Sequence, residues 1–117
     1  MDIASQDILT QARRHINDAA KQVGGIAVMS GAGMSAESGI PTFRDARTGL
    51  WARFDPMTLA TPEGFRAQPQ LVWDWYEERR QGVLKAQPNE GHRALGTFAL
   101  QRPGVLRVIT QNVDDLH

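Results

Sequence analysis

The apolar run Ile26-Ala27-Val28-Met29 empties directly into Gly31-Ala-Gly-Met-Ser-Ala-Glu-Ser-Gly-Ile-Pro-Thr-Phe-Arg44. That junction constrains the fold more than any other stretch. Four apolar residues without polar alternation read as a short strand covered on both faces, the habit of parallel sheets. Among the small residues that follow, Gly31 and Gly33 allow positive φ and close backbone approach. A strand opening into such a loop brings main-chain N–H groups toward a pyrophosphate. A second polar run, Thr110-Gln-Asn-Val-Asp-Asp-Leu-His117, follows another apolar stretch. Two polar loops at the carboxyl ends of two strands describe a cofactor crevice.

Periodicity fills in the remaining elements. Ile8, Ala12, Ile16, Ala19, Ala20 and Val23 recur at three- and four-residue spacing, which predicts a helix over 5–23 with Ser5 as N-cap and Gly24-Gly25 as its stop. Residues 45–68 read as irregular, anchored by Trp51, Phe54 and Phe65, with a helix start at Thr61-Pro62-Glu63. Pro69 opens a helix through about Ala86 that carries Trp73 and Trp75 as core candidates. Another runs from about Asn89 to Arg102, with Ala94, Leu95, Phe98 and Ala99 inward. The second strand is expected over Val105–Ile109. Helix, strand, helical insertion (about 45–88), helix and strand make an α/β fold with a parallel sheet. Two strands do not complete such a sheet, so residues 1–117 are expected to be part of a larger domain.

Bulk properties exclude several function classes. Lys plus Arg number 13 and Asp plus Glu number 13, so no long-range field draws nucleic acid or an anionic membrane surface. No apolar segment approaches the ~18 residues of a membrane span, and no signal-peptide pattern opens the chain, which makes the cytoplasm the expected compartment. The sequence has no Cys, so neither disulfides nor a thiolate metal site can form from its own residues. It assigns no oligomeric state.

Three motifs in order carry a resemblance. Gly31-Ala-Gly-Met-Ser35, Gly39-Ile-Pro-Thr-Phe-Arg44 and Thr110-Gln-Asn-Val-Asp114 resemble the cofactor motifs of the sirtuins, the NAD-dependent protein deacylases, from about Gly25 onward. The resemblance implies the N-terminal half of a Rossmann-like NAD-binding domain. Gly31, Ala32, Gly33 and Ser35 would cradle the pyrophosphate, with Ala36 and Glu37 in the same cofactor loop. Phe43 would shield the reacting ribose and Arg44 orient the cofactor, while Trp51 would edge the loop or anchor the insertion. Gln111 would meet the ribose. Asn112 and Asp114 would line the nicotinamide pocket, with Val113 between them. The partners implied are acylated-lysine proteins, and the products nicotinamide and O-acyl-ADP-ribose.

Tyr76 and Arg79 match a Tyr-x-x-Arg pair of sirtuins that remove succinyl or malonyl groups. Three residues apart, they share one helix face, where a phenol and a guanidinium fork would hold a terminal carboxylate. Alternatively, Arg79 pairs with a neighbouring Glu on an amphipathic helix. Asp114 and Asp115 are also candidate caps for a following helix. The family's catalytic base, a His followed by Gly, and its structural zinc fall beyond the matched residues. The expectation is therefore no catalytic base and no metal site in residues 1–117, His117 not acting as base, and no deacylation by this chain alone. A Rossmann oxidoreductase is the rival reading. It would require the glycine loop to pass straight into a helix, with an acidic residue about twenty positions on; Ile40-Pro41 and the insertion stand in the way.

Overall fold

The computed structural model describes residues 2–42 and 52–117. Eight elements follow in order: α1 (Ile3–Ala19), β1 (Ile26–Ser30), α2 (Gly33–Ala36), α3 (Pro56–Leu59), α4 (Pro62–Ala67), α5 (Pro69–Lys85), α6 (Glu90–Gln101) and β2 (Leu106–Thr110). β1 and β2 pair in parallel, with Ile26 opposite Leu106 and Ser30 opposite Thr110. The expected α/β arrangement with a parallel sheet and a helical insertion is therefore present.

Local chemistry explains the boundaries. Asp2, not Ser5, caps α1: Asp2 Oδ1 accepts from the Ser5 N–H at 2.7 Å, which places Ser5 inside the first turn. The helix ends at Ala19, short of Val23, because 19–25 unwinds into turns in which Gln22 N–H donates to Ala19 C=O and Gly25 N–H to Gln22 C=O. Pro56 and Pro62 occupy first turns behind the caps Asp55 and Thr61, as Pro prefers. The Asp55-Pro56 signal defines α3, inside a stretch read as irregular. α5 matches its expected span to within a residue, and Asn89 caps α6.

The apolar core lies in the insertion. Leu59, Val72 and Trp75 are buried there, with Phe54 and Leu71 packed against them. Trp73 is 66% exposed and Phe65 49% exposed, so neither is the anchor expected. Trp75 and Val72 are three apart on α5 and turn to the core, whereas Trp73 is displaced about 100° per residue around the helix. Along α6, Leu95, Phe98 and Ala99 are half-buried and Ala94 is exposed. β1 is not covered on both faces among the described residues. Its burial alternates, leaving Met29 83% exposed while Val28 is half-buried.

Two adjacent glycines set the entry to β1. Both take positive φ, Gly24 at 108° and Gly25 at 69°. A Cβ on Gly24 meets nothing within 4 Å, but one on Gly25 would lie 2.1 Å from the Val105 carbonyl oxygen, the acceptor of the first inter-strand bond from Ile26 N–H. Gly24→Ala is expected to destabilise the chain by about 1–2 kcal/mol through φ alone. Gly25→Ala is expected to lose clearly more, because β2 must also shift. Urea denaturation of both variants checks this, and equal losses would refute the contact.

Asp2 gives a pH dependence. The Ser5 N–H donated to its carboxylate, together with the Ser5 hydroxyl, holds its pKa below the ordinary 3.8. A depressed folded value means that the cap's contribution is complete above that ordinary value and is lost as pH falls through the folded one. Fraying at the start of α1, followed by amide NMR shifts of Ala4–Gln6, is expected to appear only below about pH 4. It should be absent in Asp2→Asn, which caps without titrating.

Candidate functional site

The parallel ladder delivers both polar runs to one edge of the sheet. At that edge Ser30 Oγ donates to Thr110 Oγ1 (3.0 Å) across 80 residues of sequence, and Gln111 N–H donates to Ser30 C=O at 3.3 Å. The chain then turns on each side: after β1 into α2, after β2 into the 111–117 segment.

α2 is a single turn whose Met34 and Ser35 N–H groups bond the Gly31 and Ala32 carbonyls. The N–H groups of Ala32 and Gly33 have no hydrogen-bond partner among the described residues. Of the two freedoms open to Gly31 and Gly33, positive φ is not used; in this loop it falls to Gly39, at 84°. Gly31 is required by close approach. A Cβ there would stand 2.9 Å from Gln111 Nε2, so the two loops touch where the side chain is missing.

Ser35 and Asp114 are the buried centre of the site, 1% and 7% exposed. Ser35 Oγ donates to Asp114 Oδ2 at 2.5 Å, and Leu116 N–H donates to Asp114 Oδ1 at 3.1 Å. Both carboxylate oxygens are thus satisfied, which a buried charge requires. The tight turn behind them places Asp115 at φ 60°, a conformation Asp tolerates better than most side chains. Asn112 ties the loops a second time: its Nδ2 donates to Gly31 C=O at 2.9 Å and lies 3.4 Å from Ser35 Oγ. A concavity of about 410 Å³ opens along this segment, lined by Thr110 and residues 112–117.

Gly31, Ser35, Asn112 and Asp114 are therefore joined by direct hydrogen bonds, with Gln111 against Gly31. Ala32, Gly33, Ala36, Glu37 and Val113 are exposed around them. Phe43, Arg44 and Trp51 lie outside the described residues. Tyr76 and Arg79 sit on α5, and their shared neighbour is Trp75: the Tyr76 ring meets it edge-on at 4.8 Å, and the Arg79 guanidinium stacks over it at 5.0 Å. Tyr76 is half exposed.

His92, in the first turn of α6, is also built into the site. His92 is 4% exposed, and its Nδ1 accepts from the Asn89 N–H at 3.2 Å while Asn89 caps the helix in return. This fixes the proton on Nε2, which is buried without a partner among the described residues. Its ring lies 4.9 Å from that of His117, and His117 Nε2 bonds Ser30 Oγ at 2.8 Å. Asn-x-x-His is a capping box with His in the place usually held by Glu or Gln, and that spacing was the available signal.

The 35–114 pair yields a double-mutant test. Ser35→Ala leaves a buried carboxylate oxygen without its donor, a loss of about 1.5–3 kcal/mol for a bond to a charged group. Combined with Asp114→Asn, the two losses are expected to fall short of additivity by about 1 kcal/mol or more in urea denaturation. Additivity would show that the bond carries no stability.

Residues 31–117 match the Sir2 family. The chain is 63% identical over 92 residues to a NAD-dependent protein deacylase of Methylococcus capsulatus, covering 79% of this chain and 36% of the relative. It is 51% identical over 107 residues to the NAD-dependent protein deacylase of Ralstonia nicotianae, covering 92% and 41%. Among solved structures, a Sir2 homologue in complex with NAD superposes with TM-score 0.72 at 47% identity, over 90% of this chain and 40% of that one. The chain thus spans about two fifths of the length of these relatives.

Proposed function

The chain belongs to the Sir2 family, and from that premise we propose that it forms the NAD-binding N-terminal part of a protein-lysine deacylase. The observation that carries this reading is the hydrogen-bonded union of the glycine loop with Asn112 and Asp114 at the carboxyl edge of a parallel pair. The residues present fit the cofactor. Ala32 and Gly33 offer N–H groups without a partner among the described residues, suited to a pyrophosphate, and the missing side chain at Gly31 lets Gln111 approach the loop. Bound there, NAD would supply the ribose carbon that takes the acyl oxygen as nicotinamide departs.

This chain's own residues would bind and orient. Asn112 uses its amide donors on the glycine loop, which leaves its Oδ1 to accept from a carboxamide. Asp114, locked by Ser35 and Leu116, would present a fixed negative edge to the same pocket. Preorganised groups of this kind lose no reorganisation energy when charge develops. Phe43, Arg44 and Trp51 complete the cofactor side in this reading. No described helix is long and apolar enough to cross a membrane.

For the acyl group, we assign Tyr76 and Arg79 as the carboxylate-binding pair, which makes succinyl- or malonyl-lysine proteins the substrates alongside acetyl-lysine ones. Stacking over Trp75 at 5.0 Å supports this assignment, because a planar guanidinium that rests on an aromatic ring is positioned for fork-like recognition of a carboxylate. Trp75 is itself core, so the fork stands on a rigid base.

Two outcomes test the reading in a complete Sir2 domain carrying this chain. Asn112→Ala is expected to lower NAD-dependent deacylation by about 100-fold or more, read as nicotinamide release; unchanged turnover would sink the assignment, and NADH formation would indicate the oxidoreductase instead. Arg79→Met is expected to lower kcat/KM on a succinyl-lysine peptide by about 10- to 100-fold and to spare the acetyl-lysine peptide. Equal losses on both would remove the acyl assignment and leave the family reading intact.

A further inference from the structure

Asn89 uses every polar atom of its side chain, and it uses them in two directions. Oδ1 accepts from the Gly91 N–H at 2.9 Å and the His92 N–H at 3.4 Å, which caps α6. Nδ2 donates to the Met34 carbonyl at 2.8 Å and to Ser38 Oγ at 3.0 Å, 55 and 51 residues earlier in the chain. The contact is close in its packing as well. A Cβ on Gly91 would lie 3.1 Å from Met34 Cε and 3.4 Å from its Sδ, so the first turn of α6 rests on the same residue.

The glycine loop is thereby held from two sides. On one, Asn112 and Asp114 grip Gly31 and Ser35. On the other, Asn89 grips Met34 and Ser38, the residues either side of the Ser35–Glu37 stretch. Resting on the reading of this loop as the NAD site, we propose that Asn89 is a positioning residue for it: the side-chain amide fixes the loop's path independently of its capping of α6. Asn suits both tasks because it carries an acceptor for the cap and two donors for the loop. Asp is an equally good cap, but it would turn a carboxylate oxygen toward the Met34 carbonyl, which has nothing to donate. Ser also caps and is too short to reach the loop. Neither substitution disturbs the Asn89 N–H bond to His92 Nδ1.

The test separates clamp from cap with Asn89→Asp and Asn89→Ser in a complete Sir2 domain carrying this chain, read by amide hydrogen exchange and by calorimetric titration with NAD. Both variants are expected to speed exchange at residues 34–40 by about 10-fold or more while residues 93–101 stay within about 3-fold of the parent. NAD affinity is expected to fall by a comparable factor. Unchanged loop exchange, or equal acceleration in the loop and α6, would overturn the proposal by making Asn89 a cap only. A loop-selective response in a protein that binds no NAD in either form would uphold the clamp and overturn the cofactor reading instead.

Discussion

Parallel pairing of β1 with β2 is the constraint on which the site depends. In a parallel pair both strands run out at the same edge, so residues after Ser30 and after Thr110 arrive side by side although 80 residues separate them. An antiparallel pair would have sent the two polar runs to opposite ends. The register fixes the rest: Ser30 opposite Thr110 lets their hydroxyls bond and brings Gln111 N–H onto Ser30 C=O. One residue further, the side chains of Gln111 and Asn112 meet Gly31. The strict spacing between strand end and motif on each side follows from this arithmetic, since one inserted residue would move Asn112 to the other face.

The site's rigidity comes from polar bonds, because little apolar burial lies near it. Among the described residues the site holds the buried polar side chains (Ser35, His92, Asp114), whereas the buried apolar ones (Pro56, Leu59, Val72, Trp75) belong to the insertion. A buried hydrogen bond adds only about 0.5–1.5 kcal/mol net, yet leaving either partner unpaired costs about 1–3 kcal/mol. That asymmetry makes such a network specific: the folded loop has one arrangement that satisfies Asp114, Asn89 and Asn112 together. His92 is the exception. With Nδ1 committed to the Asn89 N–H, its Nε2 has no partner among the described residues.

Elements governed by local chemistry were legible in the sequence. Thr61-Pro62, Pro69 and Asn89 each announce a helix through a side-chain cap or a fixed φ, and the structure starts helices within a residue of each. What local chemistry cannot decide was read less well. Met29 and Trp73 are apolar by sequence, and only their neighbours determine exposure. Gly31 and Gly39 look alike in a loop, but one is demanded by a side chain from residue 111 and the other by its own φ. In the site, two polar loops at two strand ends announced a shared crevice, but which side chains meet there (Gly31, Ser35, Asn112 and Asp114) was indicated only through resemblance. No periodicity spans 79 residues. Asn89 escaped notice because a cap explains it fully until its second pair of bonds is seen.

The two halves of the proposed chemistry rest on different supports. Tyr76 and Arg79 stand on α5 beside Trp75, whose burial in the Leu59–Val72 cluster anchors them by apolar packing. The glycine loop stands on hydrogen bonds from 112–114 and from Asn89. Apolar packing tolerates exchange of side chains of similar volume, whereas a fully satisfied polar network tolerates almost none. On the proposed reading, acyl preference could therefore change along one face of α5 while the bonds that Asn89, Asn112 and Asp114 make to the glycine loop stay in place. The loop has no such freedom, because Met34 and Ser38 answer to Asn89 while Gly31 and Ser35 answer to Asn112 and Asp114. On the proposed reading, a helical insertion with its own small core would let one set of cofactor contacts serve more than one acyl group.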